Sequence, residues 1–204
     1  MLATQRVLEQ SGARVVYASS SSVYGNAETY PTPESARPSP ISPYGITKLA
    51  CEQLAQAYGG DTVGLRYFTV YGPRQRPDMA FTRLVDAALE SREFPLYGDA
   101  SRSFTYVADA VAATIAAMER GTTGAIYNVG GGEEATMREA IGVLERVSGR
   151  RLDVRAEPAA RGDARRTAAD VSLIARELGW VPTTRLEDGL AAQWSWAVDR
   201  VAAR

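Results

Sequence analysis

Histidine is absent from these 204 residues, and cysteine and lysine occur once each, at Cys51 and Lys48. Without histidine, the usual His/Cys zinc sites and every histidine-based triad are excluded. One cysteine cannot close a disulfide within the chain, which suits a reducing cytoplasm. Any general base must be Tyr, Asp, Glu, Lys or Cys. There is no basic surplus of the kind a nucleic-acid surface needs: 23 Lys and Arg stand against 24 Asp and Glu, for a net charge of −1. No apolar run approaches the roughly 20 residues of a membrane span. The opening stretch, Met1 to Gln10, carries amide and acid groups where a signal peptide needs an apolar core. Together these absences predict a soluble, cytoplasmic protein with no metal site and no membrane or nucleic-acid partner.

What is present is a foldable chain. Forty-five per cent of it is apolar, enough for a packed core in one ordinary or one large domain. The pattern predicts a helix over residues 2–11, a short buried strand over 14–19 and a Ser/Pro-rich loop over 20–43. A loop that long is either functional or disordered. A helix follows over 44–58, with Ile46, Leu49, Ala50, Leu54 and Ala57 on one stripe. Further strands are predicted at 62–68, 94–97, 103–106 and 125–129, and further helices at 81–90, 108–118, 137–147 and 186–201. Trp194 and Trp196 lie on the last helix, one expected to pack and one to be exposed. Strands alternating with helices argue for an α/β sheet with parallel strands.

The single lysine stands four residues after Tyr44, in Ser-Pro-Tyr44-Gly-Ile-Thr-Lys48. On a helix these two side chains share a face. A free phenol titrates near ~10, too high for a base at neutral pH. A cation fixed beside a phenol favours the phenolate. Lysine is also a compact donor for a sugar hydroxyl, a role the forked guanidinium does not reproduce. Taken alone, Tyr-x-x-x-Lys occurs by chance. Four consecutive serines, Ser19 to Ser22, leave the end of the 14–19 strand, where open α/β sheets bind ligands. Alone they would read as a turn.

The blocks Ala18-Ser-Ser-Ser-Ser-Val-Tyr-Gly25, Pro43-Tyr-Gly-Ile-Thr-Lys48 and Leu65-Arg-Tyr-Phe-Thr-Val-Tyr-Gly-Pro73 resemble the NAD-dependent epimerase/dehydratase group, the extended short-chain dehydrogenase/reductases. Ser103-Phe-Thr-Tyr-Val-Ala-Asp109, Tyr127-Asn-Val-Gly130 and Leu178-Gly-Trp-Val-Pro182 continue the likeness in order. The resemblance implies a fold that is the C-terminal portion of a Rossmann-type doubly wound parallel sheet plus a small α/β substrate domain. Residues 1–75 and 103–130 would belong to the first, 76–102 and 131–204 to the second. It implies an NAD-dependent 4-epimerase of nucleotide sugars, with a UDP-hexose as substrate and a homodimer built on the helices near 2–11 and 44–58. Ser20, Tyr44 and Lys48 would be catalytic, and Ser19, Tyr44, Lys48 and Tyr67 would hold the cofactor. Ser20, Thr69, Arg102, Arg161 and Asp163 would bind substrate, Arg102 at the diphosphate and Asp163 at the ribose. Thr69 stands where the group usually has asparagine, and Ala160 where it usually has the arginine preceding that acid. The Ser20-Ser-Ser22 turn lacks the acid of a 4,6-dehydratase, while a 4-keto reductase or a non-catalytic sugar-nucleotide module stays open.

The Gly-x-Gly-x-x-Gly dinucleotide fingerprint does not occur. Gly130-Gly-Gly132 does not supply it and reads as a strand-to-helix turn. The chain is therefore expected to be the C-terminal two-thirds of such an enzyme, without the phosphate grip on NAD. Strands 14–19 and 62–68 would then lack neighbours, leaving a poorly stable chain that does not bind NAD tightly.

Overall fold

The computed structural model describes residues 2–159 and 162–203. In chain order the elements are α1 (Leu2–Gln10), β1 (Val15–Ser20), α2 (Pro43–Tyr58), β2 (Thr62–Tyr67), β3 (Val70–Tyr71), α3 (Ala80–Glu90), β4 (Phe94–Tyr97) and β5 (Ser101–Tyr106). They continue with α4 (Val107–Arg120), β6 (Ile126–Val129), β7 (Glu133–Thr136), α5 (Met137–Ser148), β8 (Val154–Glu157), β9 (Arg166–Thr167), α6 (Ser172–Leu178) and α7 (Leu186–Ala202). A 3-10 turn at Ser21–Val23 follows β1 directly.

The first sheet is parallel, in the order β1-β2-β6, with Ser20 beside Tyr67 and Tyr67 beside Val129. Its two faces differ in chemistry because side chains alternate along each strand. Val63, Leu65, Tyr127 and Val129 are buried in one core with the small residues Ala110, Ala113, Ala116 and Ala117 of α4, which let that helix lie close to the sheet. Ser19 and Arg66 point the other way, to α2. Ile174, Leu178 and Trp180, in and after α6, join the first core. β2 is central, so β1 and β6 are the two edge strands of this sheet among the described residues.

A second sheet is built on β5. It pairs with β3 and β9 in parallel and with β7 antiparallel, while β4 and β8 form a separate parallel pair. Tyr71, Phe81 and Phe104 anchor its core with α3, α5 and α7, Tyr71 meeting Phe81 edge-on at 5.1 Å. The architecture is thus a Rossmann-type parallel α/β sheet joined to a second α/β layer built on β5.

The sequence reading differs from this in several places. β3, β7, β8, β9 and α6 were not predicted: β3 and β9 have two residues each, and β7, β8 and α6 are short and interrupted by charged residues. Gly132 leads into strand β7 rather than a helix. The buried face of α2 is Gly45, Cys51, Glu52 and Ala55, and Ile46 is exposed. That helix packs on a sheet face carrying Ser19 and Arg66, so a carboxylate goes inward, Ile46 and Ala57 lie outward, and Leu49 packs against Val23, Tyr24 and Phe68. Trp194 and Trp196 both pack, half-buried, against the second core. The 20–43 loop is tied down by Thr32 N–H to the Ala168 carbonyl (2.8 Å) and Ser39 N–H to the Val23 carbonyl (2.9 Å).

Candidate active site

β1 delivers Ser19 and Ser20 to the carboxyl end of the parallel sheet. Ser20 keeps extended dihedrals and caps the following turn, its Oγ accepting from Ser22 N–H at 3.1 Å and donating to Ser22 Oγ at 3.2 Å. α2 starts beside this turn for local reasons. Ser42 Oγ accepts from Gly45 N–H at 3.1 Å, and Pro43 fills the first helical position, where a missing N–H costs nothing. A Cβ on Gly45 would lie 2.5 Å from the Ser22 carbonyl oxygen, so glycine is what lets the helix approach the serine turn. Its neighbour Tyr44 is 56% exposed, open to a ligand. One turn on, Lys48 Nζ lies 5.6 Å from the Tyr44 ring centre and donates to the Ala18 carbonyl at 2.8 Å. The structure therefore gathers Ser20, Tyr44 and Lys48 at one strand end.

Beneath them lies a buried polar network. Glu52 accepts two parallel bonds from Arg66, at 2.9 and 2.8 Å, and a third from Ser19 Oγ. Arg66 also donates to Tyr24 Oη at 2.8 Å and to the Glu34 carbonyl at 3.1 Å. Tyr24 donates onward to Asn128 Oδ1 at 2.8 Å, and Asn128 Nδ2 donates to the Thr32 and Asp170 carbonyls at 2.9 and 3.1 Å. Burial opposes the charge on Arg66, but its bonds to Glu52 and Tyr24 outweigh this and hold it above its usual range. Burial pushes the Tyr24 phenol up, with Arg66 pulling against it. Burial, then the Glu52 charge, pushes Tyr17 up as well.

The substrate-side candidates converge from distant positions. Thr69, Arg102 and Asp163 together line two adjoining cavities. One, of about 150 Å³, runs along Ser21, Ser22 and Ser42. The other, of about 210 Å³, is walled by aromatic and apolar groups including Phe81, Phe94, Leu96 and Phe104. Arg102 donates to Asp163 Oδ1 at 2.7 Å and to its neighbour Ser101's carbonyl at 2.9 Å, which leaves part of its fork free. Arg161 lies outside the described residues. Tyr67 faces α4: its phenol bonds Thr114 Oγ1 at 2.6 Å, and Thr114 in turn donates to the Ala110 carbonyl. That phenol, raised by burial, is committed to the core side of the sheet.

Sequence reasoning assigned no role to Glu52, Arg66, Tyr24 or Asn128. The one available signal was Glu52 following Lys48 by four residues, the same spacing that links Lys48 to Tyr44.

Residues 2–130 match the NAD dependent epimerase/dehydratase family. YtcB of Bacillus subtilis (strain 168), described as an uncharacterized UDP-glucose epimerase, is 40% identical over 199 residues, spanning 92% of this chain and 63% of YtcB. The UDP-glucuronate 4-epimerase of Thermodesulfobacterium geofontis is 33% identical over 196 residues, spanning 92% of this chain and 60% of that protein. The crystal structure of the Bacillus cereus UDP-glucuronic acid 4-epimerase, in complex with UDP-glucuronic acid and NAD, superimposes with a TM-score of 0.93 at 38% identity, over 98% of this chain and 67% of that one. The chain thus spans about three-fifths of the length of these curated relatives. With the strand-end serines, the Tyr44–Lys48 pair and the parallel sheet that holds them, the chain belongs to the NAD dependent epimerase/dehydratase family.

Proposed function

We propose that this chain carries the proton-transfer and sugar-nucleotide half of an NAD-dependent 4-epimerase acting on a UDP-hexose or UDP-hexuronate. The observation that carries the reading is Tyr44, open to solvent, with the Lys48 ammonium 5.6 Å from its ring beside the Ser20 turn. Tyr44 takes the proton of the sugar 4-hydroxyl and returns it, Lys48 stabilises the phenolate, and Ser20 hydrogen-bonds the reacting oxygen. Bound NAD supplies the reversible hydride acceptor that passage through a 4-keto sugar requires. The donor set fits a nicotinamide ribose: Lys48 uses one of its three N–H groups on Ala18, leaving two for hydroxyls. Tyr44 and Lys48 would form this chain's share of the cofactor site, with Ser19 and Tyr67 contributing only through their strand-end backbone, since their hydroxyls are bonded to Glu52 and Thr114.

The free part of the Arg102 fork suits a diphosphate. Thr69, Arg161 and Asp163 would complete the contacts to the sugar nucleotide. Residues 1–75 and 103–130 would form the cofactor side, and 76–102 and 131–204 the substrate side. The exposed apolar groups Leu2, Val7 and Ile46 on α1 and α2 suit a homodimer contact in a cytoplasmic enzyme. A 4,6-dehydratase needs a further acid at the sugar. The Ser20–Ser22 turn has none, and Asp163, the carboxylate in the adjoining cavities, is tied to Arg102. The deciding experiment is interconversion of UDP-glucose or UDP-glucuronate with the C4 epimer by NAD-loaded enzyme carrying this chain. Tyr44→Phe should lower turnover by about 10²–10⁴-fold. Undiminished turnover would end the epimerase reading.

A further inference from the structure

Tyr44, Lys48 and Glu52 stand four residues apart on α2, one face of three successive turns. A lysine followed by a glutamate at this spacing is within reach of pairing with it. Here it does not pair. Lys48 reaches the Ala18 carbonyl of β1, and Glu52 reaches the next residue, Ser19, while both its oxygens are taken by Arg66. The two side chains thus touch adjacent residues of one strand without being partners.

We propose that Arg66 is a positioning residue: by occupying both oxygens of Glu52 it keeps the Lys48 ammonium out of a salt bridge with that carboxylate and leaves it for Tyr44. This rests on the reading of Lys48 as the cation that serves the Tyr44 phenol. The groups around Glu52 come from every packed element. They are Tyr17 and Ser19 of β1, Arg66 of β2, Cys51 and Lys48 of α2, and Tyr24 and Glu34 of the 20–43 loop, which meet it through Arg66. Among them only Arg66 and Lys48 are cations. The Glu52 and Arg66 side chains are 3% and 6% exposed, so water cannot replace a lost partner. A buried carboxylate stripped of its cation is strongly unfavourable, whereas moving a half-buried lysine off one carbonyl is not. If Arg66 is removed, Lys48 is the charge that goes to Glu52, and it leaves Tyr44 to do so.

The single lysine makes this directly measurable. Chain grown with ¹³C,¹⁵N-lysine gives one lysine side-chain signal, that of Lys48, without NAD or sugar. Arg66→Met is expected to move this signal and to slow exchange of the ammonium protons several-fold. Arg66→Met combined with Glu52→Met should return both to the parent values, because the competing carboxylate is gone. A folded Arg66→Met protein with the parent lysine signal overturns the proposal. If Arg66→Met does not fold, the double variant decides: a parent-like signal supports the proposal and a displaced one overturns it. In NAD-loaded enzyme the single variant should lower kcat about 10-fold with KM unchanged, and the double variant should recover it. The lysine readout is independent of turnover: undiminished turnover of Tyr44→Phe would sink the epimerase reading, while the competition of Lys48 and Arg66 for Glu52 is read separately from the lysine signal.

Discussion

Two helical glycines should respond in opposite ways to the same substitution. Gly142 lies inside α5, where an added Cβ would meet only Arg146 Nη1 at 3.8 Å. Gly142→Ala should therefore stabilise the protein by up to about 1 kcal/mol through helix propensity. Gly45 lies in the first turn of α2. A Cβ there would come within 2.5 Å of the Ser22 carbonyl oxygen, 3.1 Å of its carbon and 3.0 Å of Pro40 Cβ. Ordinary contact begins near 3.4 Å, so helix and serine turn must separate by close to 0.9 Å. The obstacle is backbone, which cannot rotate away. Overpacking of this kind costs about 1–3 kcal/mol and reverses the sign of the propensity gain. The separation also moves Tyr44 from Ser20, and a misplacement of about 1 Å can cost 10²-fold in rate. Urea unfolding of both variants and turnover of the NAD-loaded enzyme test this together. A Gly45→Ala protein as stable and as active as the parent would refute the claim that this contact sets the site.

Other consequences are equally direct. Arg102→Met removes a charge-assisted donor worth about 1.5–3 kcal/mol, so calorimetry should show UDP binding weakened by about 10–150-fold, and unchanged binding would remove Arg102 from the diphosphate site. Burial pushes Glu34 above its usual 4.5, so the folded protein holds that proton more tightly than the unfolded chain. Its stabilising contribution is complete below pH 4.5 and is lost as pH rises through the folded value. Glu34→Gln keeps the acceptor for Asn128 N–H at 2.8 Å. Urea midpoints should be similar near pH 4 and diverge in the variant's favour by pH 7. With no glycine fingerprint, the 204-residue chain titrated with NAD should bind more weakly than micromolar; a micromolar heat signal would contradict this.

Much of the site was legible because it is local. Ser42 and Pro43 start a helix on their own chemistry, and the spacing of Tyr44 and Lys48 follows from helical geometry once it forms. Strand β1 and its serine exit were legible for the same reason. Which way the apolar stripe of α2 faces was not legible, because periodicity reports only which residues are apolar; the sheet face receiving that helix is polar, and Ile46 lies outward. Thr69, Arg102 and Asp163 could be named only through family resemblance, since no local signal links them.

By itself, then, the amino-acid order determined the alternating α/β elements, the Tyr44–Lys48 pair and the absence of metal-ligand chemistry based on histidine. The tertiary structure decided what those groups face. Parallel pairing of β5 with β9 draws Arg102 and Asp163 together across 61 positions, and packing of α2 on β1, whose neighbour is β2, sets Glu52 against Arg66. Helix spacing is a property of neighbouring residues, whereas the partner of a buried charge depends on which distant strand is brought beneath it.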